Sequence, residues 1–356
     1  MTPNSRLPAL IGAVAALAVG AAAGAVAERR LVRDRLVPRP ETAIPFGTLR
    51  GTPREVVAND GTVIYAEVDT PADFDPLTMP TMVFSHGYAL NHDTWHFQRE
   101  VLRPMARLVF WDQRAHGRSQ RGPAGSHHID QLGQDLAAVI AQVAPEGPLV
   151  LVGHSMGGMT VMSMAADYPE IFRERVIGVA LLGTSAGGLS DVLLGLPVVI
   201  ARLAHEFVPL VAPTLIEQRD VIEFSRQRSN DLTKWLTRRY SFASPVSPEV
   251  ANFAFSMVND TPIDVVGEFL PTFDQHDKRA ALATMNGIET LVMVGTDDAM
   301  TPEAHSYEIV RRVPHAELVL LADTGHMLML ERPAEVNEEL VLLLQRAWRA
   351  WEDESA

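Results

Sequence analysis

The 356-residue chain contains no cysteine. Disulfide staples and thiolate metal sites are therefore excluded, while the redox compartment is left open. Basic residues are in deficit: 30 Lys and Arg stand against 44 Asp and Glu, a formal net charge of −14. Nucleic-acid binding calls for a basic surface, so that class is set aside. The 12 histidines form no H-E-x-x-H pair. There is neither a G-x-x-x-x-G-K-[ST] phosphate loop nor a G-x-G-x-x-G dinucleotide turn. Beyond an alanine-rich N-terminal run, no internal repeat or low-complexity tract occurs. A hydrophobic content of 47% excludes a disordered chain. The length suits two units, or one large α/β domain with an insertion.

Residues 9–27 read ALIGAVAALAVGAAAGAVA, 19 residues without a charge. A helix needs about 20 such residues to cross a bilayer. Gly20 and Gly24 have the G-x-x-x-G spacing that lets helices approach closely in lipid. Three readings fit: a single-pass anchor, a secretory signal cleaved after Ala25-Val26-Ala27, and an Ala-rich helix retained on the soluble domain. The length of the run and the single preceding Arg6 weigh against cleavage, so a membrane-associated protein with an N-terminal anchor is the leading expectation. Arg29, Arg30, Arg33 and Arg35 follow the run, and the positive-inside rule places that flank in the cytoplasm. Residues 29–53 read as a linker after a hydrophobic segment spanning 1–28.

From residue 54 the pattern changes. Residues 54–58 and 62–68 form a candidate strand pair around the turn Asn59-Asp60-Gly61. An uninterrupted apolar strand follows at 81–85, and further strands at 106–111, 148–152, 176–182, 289–294 and 317–321. Such runs suit strands buried on both faces of a parallel sheet. Ile129, Leu132, Leu136, Ile140 and Val143 recur at helical spacing, predicting a helix over about 127–143. A last helix begins near Pro333 and runs to about Trp351. The alternation predicts an α/β fold: a mostly parallel central sheet with helices on both faces, formed by residues 54–184 and 276–356. The gap at 185–275 holds further helical stretches and reads as an inserted helical cap that would exclude water from a site.

Residues 153–157 read Gly-His-Ser-Met-Gly. An apolar strand precedes this G-x-S-x-G and a helical run follows, the strand–turn–helix setting of a nucleophile elbow. Ser155 is the candidate nucleophile, and the N–H of Met156 would face the oxyanion. A serine hydroxyl needs a base, and the base needs an orienting group. His326, in a loop directly after a strand, is the candidate base. His305 and His315 are rivals, the first in a helix and the second before a strand, at the wrong end of the sheet. Asp297 and Asp298 both follow the 289–294 strand, and chemistry alone does not separate them. After strand 81–85, Gly87 allows close backbone approach, making the Tyr88 N–H the second oxyanion donor. His86 reads as a buried structural histidine.

In this order, His86-Gly87-Tyr88, Asp112-Gln113-Arg114-Ala115-His116-Gly117-Arg118-Ser119, Gly153-His154-Ser155-Met156-Gly157-Gly158, Gly295-Thr296-Asp297-Asp298-Ala299-Met300-Thr301-Pro302 and Gly325-His326 resemble the α/β-hydrolase superfamily over about residues 54–350. The family acid loop, G-x-x-D-x-x-x-P, implies Asp298 as the orienting acid. The resemblance also implies that Asp112, Arg114 and His116 are structural. The function expected is a serine hydrolase, of the lipase or esterase type, cleaving lipophilic carboxylic esters without cofactor or metal. The same triad serves cofactor-free haloperoxidase or perhydrolase chemistry and C–C, amide or lactone hydrolysis. A non-catalytic ligand receptor or membrane scaffold on a retained fold is the alternative of another class. Dehalogenases and epoxide hydrolases of this fold use an aspartate at the elbow, which Ser155 replaces here.

Overall fold

The computed structural model describes residues 44–189 and 231–355. Eight strands form one sheet: β1 (Thr52–Val57), β2 (Val63–Asp69), β3 (Thr81–Ser85), β4 (Arg107–Trp111), β5 (Leu149–His154), β6 (Val176–Leu182), β7 (Glu289–Gly295) and β8 (Glu317–Leu321). Their order is β1-β2-β4-β3-β5-β6-β7-β8. The pairs β1–β2 and β2–β4 are antiparallel, and every other pair is parallel. All eight strands fall where the sequence places them, the first two as the pair around Asn59-Asp60-Gly61 and the other six as the strand runs that follow. The first starts two residues before the expected 54, because Thr52 and Pro53 already pair with Val68 and Glu67.

Side chains alternate across the sheet, so each central strand needs apolar residues at both parities. Met82, Phe84, Val150 and Val152 enter a core with α1 (His96–Leu102). Val83, Leu149 and Leu151 face the opposite core. There they meet α2 (Ile129–Val143), α3 (Met156–Asp167) and, beyond the short α4 (Pro169–Arg175), the buried Met285. The five apolar residues anticipated on α2 are all buried. The helix begins at 129 rather than 127 because His128 is its N-cap, the ring accepting from the Gln131 N–H.

Between β6 and β7 lie the described helices α5 (Asp231–Ser241), α6 (Pro248–Asp260) and α7 (Ile263–Gln275). Residues 190–230 of the expected cap lie outside the described residues. The excursion leaves and rejoins the sheet at one place, where Gly187 bridges Asp277 and the Lys278 N–H donates to the Ala186 carbonyl. On α6, Val250, Ala254 and Met257 join the first core. On α7, Val265 and Phe269 pack on Leu132 and Met156, with Tyr88 and Phe273 alongside. The remaining helices are α8 (Glu303–Arg312), α9 (Leu328–Glu331) and α10 (Pro333–Ser355).

Residues 44–51, from the stretch anticipated as linker, lie against the fold. Phe46 stacks on Phe253, Leu49 is buried, and Arg50 pairs with Asp93. The run at 9–27 lies outside the described residues. Among the described residues, no helix is long and apolar enough to cross a membrane.

A buried ion network fastens β4 to the segment after β3. Asp112 Oδ1 accepts from the backbone N–H and ring Nδ1 of His92, and Oδ2 accepts from the Arg118 N–H. Burial opposes charge on His92, but Asp112 and Glu67 outweigh it and push its pKa up to about 9. A raised folded-state pKa means stability fully present below the ordinary 6.5 and lost as pH rises through about 9. We expect His92→Gln to lower the melting temperature at pH 6 by more than at pH 9.5. A deficit of equal size at both pH values would remove the charged-histidine account.

Candidate active site

β3, β5, β7 and β8 run parallel, so the loops leaving their carboxyl ends share one edge of the sheet. Open α/β sheets bind their ligands at that edge. Four sequence motifs sit there. Ser155 follows β5, with φ 52° and ψ −119°. A non-glycine residue held in so sparsely populated a region costs on the order of 1–3 kcal/mol. Its surroundings enforce it. A Cβ on Gly153 would lie 2.5 Å from the Gly157 carbonyl oxygen, and one on Gly157 would lie 2.1 Å from that of Ser85. The Ser155 N–H donates to Leu182 O at 2.9 Å, and Thr184 Oγ1 donates to Ser155 O at 2.7 Å.

The structure brings Ser155, His326 and Asp298 into one chain. His326 Nε2 is 2.9 Å from Ser155 Oγ, and its Nδ1 is 2.8 Å from Asp298 Oδ2. A carboxylate only accepts, so the Nδ1 facing it carries the proton and Nε2 accepts from the hydroxyl. Asp298 is buried, which opposes its charge. The adjacent His326 and the bonds from Thr301 outweigh burial and hold its pKa below the usual range. Its Oδ1 accepts from the N–H groups of Met300 and Thr301 at 2.8 and 2.9 Å. Asp297 is exposed and accepts from Thr296 Oγ1. The rival histidines are engaged elsewhere: His305 with Ser185 Oγ and His315 with the Ile288 carbonyl.

Met156 opens α3, so its N–H belongs to the first turn and has no intrahelical acceptor. The positive end of that helix favours negative charge beside Ser155. Tyr88 sits on the loop after β3. Its hydroxyl donates to the Val266 carbonyl on α7, and its ring meets Phe273 edge-on at 5.1 Å. His116 props this loop, with Nε2 accepting from the Ala89 N–H at 3.2 Å. Burial pushes the His86 pKa down to about 4. The neutral ring accepts from the Gln113 N–H and faces the Gly87 carbonyl. Arg114 makes two 2.7 Å bonds to buried Asp135. These contacts give His86, Asp112, Arg114 and His116 a framework to support, as expected.

Two neighbours escaped sequence reasoning. Thr301 Oγ1 donates to Asp298 Oδ2 at 2.9 Å. An aspartate followed three residues later by threonine is a local capping pattern, and that signal was available. The His154 ring lies 4.8 Å from that of His326, and its Nε2 donates to the His326 carbonyl at 2.9 Å. No local pattern announces a bond spanning 172 residues of sequence. Two glycines are required by close approach. A Cβ on Gly87 would strike His154 Nδ1 at 2.7 Å, so that glycine admits the His154 ring. A Cβ on Gly325 would lie 2.8 Å from Ala243 N and Ser241 O, so close approach rather than a tight turn requires it. The left-handed residue of the loop is Asp323, with φ 49°.

A parallel sheet carrying these loops at its carboxyl edge defines a doubly covered α/β protein with an insertion after β6. Residues 80–333 match the family model described as the alpha/beta hydrolase fold, and the chain belongs to that family. The chain is similar to the mouse sn-1-specific diacylglycerol lipase ABHD11, at 23% identity over 270 residues, which cover 75% of this chain and 81% of that protein. Its fold is similar to that of a thermophilic esterase from Thermogutta terrifontis, with a TM-score of 0.63 and 23% identity over 83% of this chain and 98% of the other. A bromoperoxidase from Bacillus anthracis gives a TM-score of 0.64 at 20% identity, covering 82% of this chain and 99% of that one.

Proposed function

We propose that the chain is a serine hydrolase of carboxylic esters. The observation that carries this reading is the hydrogen-bonded series from Ser155 Oγ through His326 to buried Asp298. Ser155 Oγ attacks the acyl carbon as its proton passes to His326 Nε2. The Tyr88 and Met156 amides receive the developing oxyanion. Collapse expels the alcohol, protonated by the imidazolium, and leaves an acyl-enzyme. Water then gives its proton to His326 and attacks the acyl carbon. The acid departs as Oγ regains the proton. Asp298 holds the Nδ1–H tautomer and stabilises the imidazolium.

The aromatic and aliphatic side chains of α7 beside Tyr88 and Met156 favour a lipophilic acyl group. The test is covalent labelling by a fluorophosphonate, followed by turnover of p-nitrophenyl esters of increasing chain length. A chain that takes no label and turns over no ester is not this enzyme.

We further infer that residues 9–27 tether the protein to a membrane and are dispensable for catalysis. The charge-free run supports this. So does its place in the sequence, before the segment that matches the hydrolase family. A protein starting at Pro38 should be soluble and keep its turnover of a short ester. The full-length chain should pellet with membranes and resist high salt. Release by salt alone argues against insertion, and a mature N-terminus at Glu28 would show a cleaved signal instead.

A further inference from the structure

Glu331 ends α9, five residues after His326, and the residue is 7% exposed. Four donors converge on it, and none belongs to its own helix. Oε2 accepts from the Gly325 N–H at 2.7 Å. Oε1 accepts from the Ala243 N–H at 3.1 Å, the Ser244 N–H at 2.5 Å and Ser244 Oγ at 2.6 Å. One buried carboxylate thus joins the residue before His326 to the junction between α5 and α6. The residue after His326 is held at the same place, where the Met327 N–H donates to Ser241 O at 2.9 Å. The junction is itself pinned, because Phe242 between these groups is buried in the first core.

We propose that Glu331 is a positioning residue that locks the His326 loop to the inserted helices and so sets the distance from His326 Nε2 to Ser155 Oγ. The proposal rests on reading Ser155, His326 and Asp298 as the reacting set. A loop between strand and helix is by default among the more mobile parts of a fold. Here both amides flanking His326 are tied to one junction, and His154 holds its carbonyl. The insertion therefore acts on the base as well as covering the site. Movement of α5 or α6 reaches the His326 loop by two routes, the Glu331 carboxylate on the Gly325 side and the Met327 N–H to Ser241 O bond on the other.

Glu331→Gln separates positioning from bulk stability. Glutamine keeps the volume but has one acceptor oxygen, so its NH₂ must face either Gly325 or the 243–244 amides, and one side of the bridge breaks. Ser244→Ala removes the hydroxyl arm alone. Full-length wild type and both variants are titrated to completion with a fluorophosphonate. The labelling rate, kcat and KM on p-nitrophenyl butyrate and melting temperature are then measured. The proposal expects complete labelling of Glu331→Gln with kcat per labelled site lower by roughly tenfold to a hundredfold, the scale that a misplacement of about 1 Å produces. The labelling rate falls in parallel, KM changes little, and Ser244→Ala falls between. A merely structural role would lower the melting temperature and leave kcat per labelled site at the wild-type value, and that result overturns the proposal. If Glu331→Gln does not fold, Ser244→Ala decides by the same criterion. A wild type that takes no label defeats the triad reading and this proposal together. A labelled wild type with unchanged variants defeats this proposal alone.

Discussion

Ser155→Ala should lose on the order of 10⁶ in turnover while the fold is retained, the scale on which removal of a triad nucleophile acts. The hydroxyl lies 2.9 Å from His326 Nε2, and alanine leaves that nitrogen with nothing to deprotonate. The structural cost is small. The strained φ of 52° penalises any residue with a Cβ, and alanine keeps the Cβ, so the strain is the same in both proteins. The backbone bonds from Ser155 N–H to Leu182 O and from Thr184 Oγ1 to Ser155 O need no side chain at 155. The measurement is kcat on a short p-nitrophenyl ester together with the melting temperature. A folded mutant with near wild-type turnover ends the nucleophile assignment.

Asp298→Asn should cost roughly 10⁴ in turnover, far more than Asp297→Asn, because a wrong tautomer disables the base. The surrounding donors decide how the new amide sits. The Met300 and Thr301 N–H groups both point at Oδ1, so they capture the amide oxygen there. The NH₂ then occupies the Oδ2 position and donates to His326 Nδ1. That forces the proton onto Nε2, which faces Ser155 Oγ and can no longer accept from it. At 297 the side chain is exposed and gives up only a bond with Thr296. Comparing kcat of the two variants is the check. Equal losses, or a larger loss at 297, would reverse the assignment.

The same residues show how much of the site was legible. The central strands could be read because burial on two faces demands apolar residues at consecutive positions, as in Leu149-Val150-Leu151-Val152, whereas β1 and β2 were read from the turn that joins them. The elbow could be read because its glycines are forced by backbone contacts at 2.1–2.5 Å that permit no substitute. Asp298 was indistinguishable from Asp297 by chemistry, and only the loop register separated them. What stayed hidden was support from a distance. His154 reaches the His326 carbonyl, and Glu331 reaches the Ala243 and Ser244 amides, across long stretches of sequence, and neither of these contacts leaves a local pattern. The segment at 44–51 was also missed. Its packing depends on Phe46, Leu49 and Arg50, too few and too irregular to form a period.

Ser155 and His326 stand 171 residues apart in the chain. Their loops are brought together only through β6, β7 and β8, each laid parallel on the last. A ribosome delivers the elbow first, then the insertion, then the acid loop, and only then the histidine. On the triad reading, a nascent chain carries its serine through 171 further residues with no partner able to remove the proton. Long-range parallel pairing of this kind is also slow to form. On that reading the hydroxyl becomes reactive only after β8 has docked, so chemical competence waits for the far edge of the sheet.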